Sequence, residues 1–128
     1  MKKIIQWLNI VSLAIIVLGL FHLLATTLVL GMFEWTNPNE KSVFLFMYLA
    51  AGIGTILPGL ISKLQIKAIK ESSLNARFTV IVCSLYTIIL GIGAIYFMTN
   101  NPFAYIALVL GIALVIPALI IKKFFSKE

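Results

Sequence analysis

Residues 4–32 read IIQWLNIVSLAIIVLGLFHLLATTLVLGM, an almost unbroken apolar run. The hydrocarbon core of a bilayer is about 30 Å thick, and an α-helix needs about 20 residues to cross it. This run is long enough, so it predicts a transmembrane helix. It is also longer than the apolar region of a secretory signal peptide, which is about 7–15 residues. We therefore expect the run to be retained as the first membrane span.

Three more apolar stretches follow the first. Of the 128 residues, 62% are hydrophobic and 11% are charged, whereas an ordinary soluble domain has about 25% charged residues. This composition excludes a soluble globular domain. We predict a single all-α domain over residues 1–128, an integral membrane four-helix bundle. Its spans are expected at residues 4–32, 43–61, 78–98 and 103–121.

The basic residues are distributed unevenly around these spans. If all four spans cross the membrane, nine of the ten Lys and Arg residues lie on one side and only Lys41 lies on the other. The positive-inside rule then places both termini in the cytoplasm. Topology signals and anionic lipid headgroups explain the net charge of +6. Membrane lipids are therefore expected partners and nucleic acid is not.

The connection between the second and third spans carries a basic pattern. Lys63, Lys67 and Lys70 are spaced i, i+4 and i+7 and would share one face of a helix, so the second span is predicted to continue beyond the membrane surface. Together with Arg77 they are candidates for a topology anchor, or for a site that binds lipid headgroups or a partner protein. Ser72 or Ser73 is predicted to cap the third span.

The two halves of the chain resemble each other. Residues 52–63 align without gaps on residues 111–122 at an offset of 59, and residues 12–19 align on residues 84–91 at an offset of 72. This pattern predicts a duplicated two-helix hairpin, a parallel repeat about an axis along the membrane normal. The alternative is that a proline followed by a basic anchor is simply common at inner ends of membrane helices.

Each span has one face of small and weakly polar residues. Such faces let helices approach closely in lipid. The predicted faces are Asn9, Ser12, Gly19, His22 and Thr26; Tyr48, Ala51, Gly52, Thr55, Gly59 and Ser62; Ser84, Thr87, Gly91, Ala94 and Met98; and Ala104, Ala107, Gly111 and Ala118.

His22 is the only ionisable side chain well inside a predicted span. Ionisable groups at this depth are functional candidates. Thr26, one turn further along, is predicted to reach the ring. Counted along the helices from the span ends, His22 and Tyr48 can lie at one depth in the outer half of the membrane. Glu34 is expected toward the outer side. Four interpretations stay open for His22: a structural hydrogen bond, a contact to a lipid, quinone or other small amphiphile, a proton-linked transport site, and a haem or metal ligand. The last would require a second His22 from a dimer.

Catalytic patterns are missing from the sequence. It has one cysteine, Cys83, and lacks a His/Cys/carboxylate cluster with metal spacing, a nucleophile elbow and a phosphate-binding glycine loop. We expect neither an enzyme nor a cofactor nor a metal site. The favoured function is that of a small accessory, scaffold or ligand- or lipid-binding membrane protein, acting with a membrane-protein partner or as a homodimer. The alternative is a homodimeric transporter or channel subunit.

Residues 19–26, Gly-Leu-Phe-His-Leu-Leu-Ala-Thr, in the first span of a short four-span chain, resemble the DoxX-like group of small bacterial membrane proteins. The resemblance implies a location in the bacterial cytoplasmic (inner) membrane and no assigned activity. Small multidrug exporters are similar in length and span number. They carry a first-span glutamate that this chain lacks. Fluoride channels are similar in size, but their glycine-rich, arginine-containing signature is missing.

Overall fold

The computed structural model describes residues 1–32, 34 and 37–121. These form four helices, α1 (Lys2–Met32), α2 (Pro38–Lys70), α3 (Leu74–Phe97) and α4 (Pro102–Ile120). All four are long and apolar enough to cross a membrane, and the described residues contain no strand. The prediction of an all-α membrane four-helix bundle is confirmed. The basic residues predicted to follow the last span, at positions 122, 123 and 127, lie outside the described residues.

The helix ends follow local sequence signals. Asn37 and Asn101 each precede a proline, and their side-chain oxygens accept hydrogen bonds from backbone N–H groups two residues on, at 2.9 Å and 3.0 Å. A capping asparagine followed by proline in the first turn is a favoured helix start. Ser73 caps α3 by accepting from the Ala76 N–H at 3.3 Å, as predicted. Helix α2 extends to Lys70, which confirms that it continues past the predicted span.

The four helices form a closed ring. The α1–α2 and α3–α4 interfaces are the most extensive, and the α2–α3 and α1–α4 interfaces complete the ring. Fully buried apolar side chains fill its interior: Leu8, Ile15, Ile69, Val80, Leu114 and Ile121. Large apolar side chains cover the outside of every helix, including Leu24, Leu28, Leu64, Ile89 and Val109. Because hydrocarbon solvates such a surface well, the bundle is suited to a membrane on its outer faces.

The two hairpins pack through glycines at corresponding places. A Cβ built on Gly59 of α2 would lie 2.9 Å from the Ser12 carbonyl oxygen in α1. A Cβ built on Gly111 of α4 would lie 3.2 Å from the Ser84 carbonyl oxygen in α3. Ser12 and Ser84 are the residues that the sequence alignment pairs at an offset of 72. Small residues therefore permit the same close backbone approach in both hairpins.

A second pair of glycines gives the same correspondence. A Cβ on Gly19 would lie 2.8 Å from the Ile56 nitrogen, and a Cβ on Gly91 would lie 2.6 Å from the Leu108 nitrogen. Gly19 and Gly91 are again related by the offset of 72. The hairpins therefore share one packing geometry, as a parallel repeat requires.

The register of the second helix in each repeat differs from the prediction. The packing pairs Gly59 with Gly111 and Ile56 with Leu108, an offset of 52, whereas the sequence alignment pairs Gly52 with Gly111. Gly52 and Gly59 are two helical turns apart on one face of α2, and both are buried against α1. Since residues seven apart occupy the same face, sequence identity alone selected the wrong one of two equivalent glycines.

Candidate functional site at the far end of the bundle

The far end of the bundle is the end that holds the α1–α2 and α3–α4 connections, and the basic end is the opposite one, with Lys2 and Lys70. Near the far end, the His22 ring stacks on the Tyr48 ring, with centroids 5.0 Å apart and an interplanar angle of 16°. The Phe103 and His22 rings form a T-shaped pair, with centroids 6.3 Å apart and an interplanar angle of 88°. Phe44 packs on Tyr48 at 4.4 Å. We call these four side chains the ring cluster.

Three helices position the ring cluster. The close approach of Gly19 and Gly52 sets the antiparallel register of α1 and α2, and this register brings His22 level with Tyr48. Phe103 is the second residue of α4, and its backbone N–H donates a hydrogen bond to the side-chain oxygen of the capping residue Asn101. The site is therefore built at a junction where the first hairpin meets the start of α4.

Two polar groups in the ring cluster have no hydrogen-bond partner among the residues that the structure describes. One is the buried Nε2 atom of His22. The hydroxyl of Tyr48 makes no hydrogen bond to any described residue. A buried polar group left without a hydrogen bond destabilises a fold by about 1–3 kcal/mol. The ring cluster thus combines apolar aromatic surfaces with two groups able to hydrogen-bond a ligand.

The other two predicted site residues do not join this cluster through hydrogen bonds. Thr26 is buried, but its hydroxyl donates to the backbone carbonyl of His22 at 2.9 Å, so the prediction that Thr26 bonds the ring is wrong. A threonine hydroxyl readily bonds the carbonyl four residues earlier in its own helix, and this local bond is formed instead. Glu34 is exposed in the α1–α2 connection and makes no hydrogen bond or ion pair to a described residue.

The candidate anchor residues at the basic end have different environments. Lys67 and Lys70 are exposed and Lys63 is half-buried. Arg77 is directed into the bundle, where its Nε donates to the Ala118 carbonyl oxygen at 2.8 Å. Ala118 lies in the last turn of α4, where carbonyls lack helical partners and a positive charge is favourable. Arg77 therefore joins α3 to the end of α4, in addition to any contact with headgroups.

The predicted small and weakly polar faces are largely buried. Ser12, Ser62, Ser84 and Thr87 are all almost completely inaccessible. Ser84 donates to the Gly111 carbonyl oxygen at 2.8 Å, which ties α3 to α4. Asn9 and Met98 are exceptions, because both are exposed.

Sequence reasoning placed Tyr48 beside His22 by depth but missed Phe44 and Phe103. No sequence signal points to Phe103, because the short α3–α4 turn identifies only α3 as a neighbour of α4. Comparison of the chain with family models, curated proteins and solved structures gives no match. Its functional interpretation therefore depends on the geometry of its own residues.

Proposed function

We propose that this membrane protein binds a small amphiphile, a lipid, a quinone or a similar molecule, at the ring cluster, without catalysing a reaction on it. The observation that carries the proposal is the buried Nε2 of His22, for which no described residue supplies a hydrogen-bond partner. A ligand's carbonyl or hydroxyl group would supply the missing bond. Since the described side chains do not supply it, forming this bond would stabilise the complex with a ligand.

The surroundings of Nε2 suit an amphiphile. Tyr48 stacks on the imidazole and Phe103 forms a T-shaped pair with it, and aromatic ligands prefer the same stacked and T-shaped arrangements. The Tyr48 hydroxyl offers a second polar contact. A mainly apolar, aromatic surface that carries a few polar groups is typical of small-molecule sites.

The bundle interior supports ligand binding over transport. Ile15 and Leu114 are completely buried between the helices, and side chains of this size fill the centre of a single chain. A transport path would therefore have to run between two copies. The homodimeric transporter or channel remains the second candidate, and its signature would be a stable dimer without a bound amphiphile.

The rest of the proposal concerns where the protein acts. We place it in a bacterial cytoplasmic (inner) membrane with both termini in the cytoplasm, on the strength of the basic residues around the spans. The resemblance of residues 19–26 to the DoxX-like group agrees with this location and assigns no residue a role. An accessory or scaffold role would use the apolar outer faces to contact a partner within the membrane.

Purification in a mild detergent tests the proposal. The preparation is divided between organic extraction, with identification of lipids, quinones and pigments by mass spectrometry, and a measurement of oligomeric state. An amphiphile retained in stoichiometric amount through size-exclusion chromatography supports the proposal. A homodimer that retains no amphiphile would favour the transporter or channel instead. Co-purification of a stoichiometric protein partner would favour the accessory role.

A further inference from the structure

A groove of about 710 Å³ lies at the basic end, between the start of α1 and the end of α2. It is at the opposite end of the bundle from the ring cluster and shares no residue with it. The buried side chains of Ile5 and Ile66 form its apolar floor. Lys2 and Lys70 line its rim, one from each helix.

The α1 wall of the groove is polar over two turns of helix. Lys2, Gln6 and Asn9 are spaced i, i+4 and i+7, so they share one face of α1. This ladder is about 10 Å long at 1.5 Å per residue, and it descends from the lysine level into the membrane. Neither the Gln6 nor the Asn9 side chain makes a hydrogen bond to a described residue. Unpartnered amides are unfavourable in hydrocarbon, so a polar group from a lipid would stabilise both.

We propose that this groove binds one anionic phospholipid from the leaflet at the basic end. The two lysine ammonium groups contact the phosphate, and the amides of Gln6 and Asn9 donate to the glycerol ester carbonyls below it. The acyl chains lie along the apolar floor. The order of chemistry along the groove, cationic, then amide, then apolar, matches the order of groups in a phospholipid from headgroup to tail.

Charge selects the anionic class. Lys2 and Lys70 are both exposed and are not in an ion pair with any described residue, so a lipid phosphate can reach both ammonium groups. A zwitterionic lipid carries a cationic group beside its phosphate, and the two lysines would repel that group. The groove should therefore prefer phosphatidylglycerol over phosphatidylcholine.

Native mass spectrometry of the detergent-purified chain, titrated with each of these two lipids, tests the proposal. We expect the wild type to bind one phosphatidylglycerol with clear preference over phosphatidylcholine. The Lys2→Gln/Lys70→Gln double variant should bind phosphatidylglycerol about tenfold more weakly, because lysines close to an anionic lipid each contribute to its binding. Gln6→Leu/Asn9→Leu should weaken the same binding with the charges intact.

The matched control is Lys3→Gln, compared with Lys2→Gln alone. Each variant removes one charge from the start of α1, but Lys3 faces the α1–α4 side, outside the groove. Unchanged phosphatidylglycerol binding in this control supports a defined site. Equal weakening in the control and the test variant would show only diffuse attraction to the basic end, and equal binding of the two lipids by the wild type would overturn the proposal. Ligand retention at the ring cluster is measured in the same preparations, so the two sites succeed or fail separately.

Discussion

The indole N–H of Trp7 in α1 donates a hydrogen bond to the carbonyl oxygen of Ala113 in α4, with a donor–acceptor distance of 2.9 Å. Ala113 lies four residues before Pro117, which is inside α4. Proline has no N–H, so the helix itself cannot supply the donor for this carbonyl. In a membrane no water replaces it. Trp7 thus supplies the hydrogen-bond donor that Pro117 lacks, and it joins α1 to α4, the first and last helices of the ring.

The first prediction is that Trp7→Phe destabilises the bundle only while Pro117 is present. The variant keeps an aromatic side chain but loses the donor, and we expect a loss of about 0.5–1.5 kcal/mol in unfolding free energy. In a Pro117→Ala background, the new backbone N–H bonds Ala113, so Trp7→Phe should have little effect. Thermal unfolding of the four proteins in one detergent measures the coupling. Equal losses in both backgrounds would contradict the compensation.

The second prediction concerns the glycines that bring α3 and α4 together. Gly91→Ala places a Cβ 2.6 Å from the Leu108 backbone nitrogen, and the backbone there cannot move aside cheaply. We expect the free energy of unfolding of Gly91→Ala to fall by about 1–3 kcal/mol, as is usual for overpacking. Gly93 is on the same helix, and a Cβ there meets nothing within 4 Å. Gly93→Ala should therefore stabilise by up to about 1 kcal/mol through helix propensity. Equal changes in the free energy of unfolding for Gly91→Ala and Gly93→Ala would contradict the close packing of Gly91 against α4.

The third prediction concerns membrane orientation. In a Cys83→Ala background, single cysteines replace Asn39, at the start of α2, or Lys67, near its end; both positions are exposed. An impermeant thiol reagent applied to whole cells should label position 39 and leave position 67 unlabelled until the cells are lysed. Labelling of position 67 alone in intact cells would reverse the proposed topology.

Much of the fold could be predicted because the bilayer imposes simple rules. Span number follows from the length of the apolar runs, and the extension of α2 to Lys70 followed from lysines on one helical face. The repeat register could not be fixed, since Gly52 and Gly59 lie on the same face and only the contacts with Ser12 and Gly19 distinguish them. Helix periodicity shows which residues share a face, but it does not show which turn of that face makes a given contact.

The candidate site was predictable only in part. Counting residues from the predicted span ends puts His22 and Tyr48 at the same depth in the membrane. It could not include Phe103, since nothing in the sequence says that α4 is next to α1. For the same reason the bond from Trp7 to Ala113 was missed, although Pro117 marked a carbonyl in need of a donor. The predicted bond from Thr26 to the ring is not formed, because the Thr26 hydroxyl has an acceptor in its own helix, the His22 carbonyl oxygen.

Retention of the bound amphiphile by His22→Phe is the most direct test of the proposed function. Phenylalanine preserves the stacking on Tyr48 and removes both ring nitrogens. Tyr48→Phe removes the second polar group, and Tyr86→Phe, at an exposed position on α3, is its matched control. Extracts of the purified proteins are compared by mass spectrometry, alongside their thermal stability.

We predict that His22→Phe loses the amphiphile and that Tyr48→Phe weakens its retention, while Tyr86→Phe retains it fully. Removing a buried group without a partner should leave the stability of the ligand-free His22→Phe protein unchanged or higher by about 1 kcal/mol. Retention of the same molecule by His22→Phe at the wild-type ratio would contradict the account. So would a fall in ligand-free stability of about 0.5–1.5 kcal/mol, because that loss would identify His22 as a structural hydrogen-bonding residue.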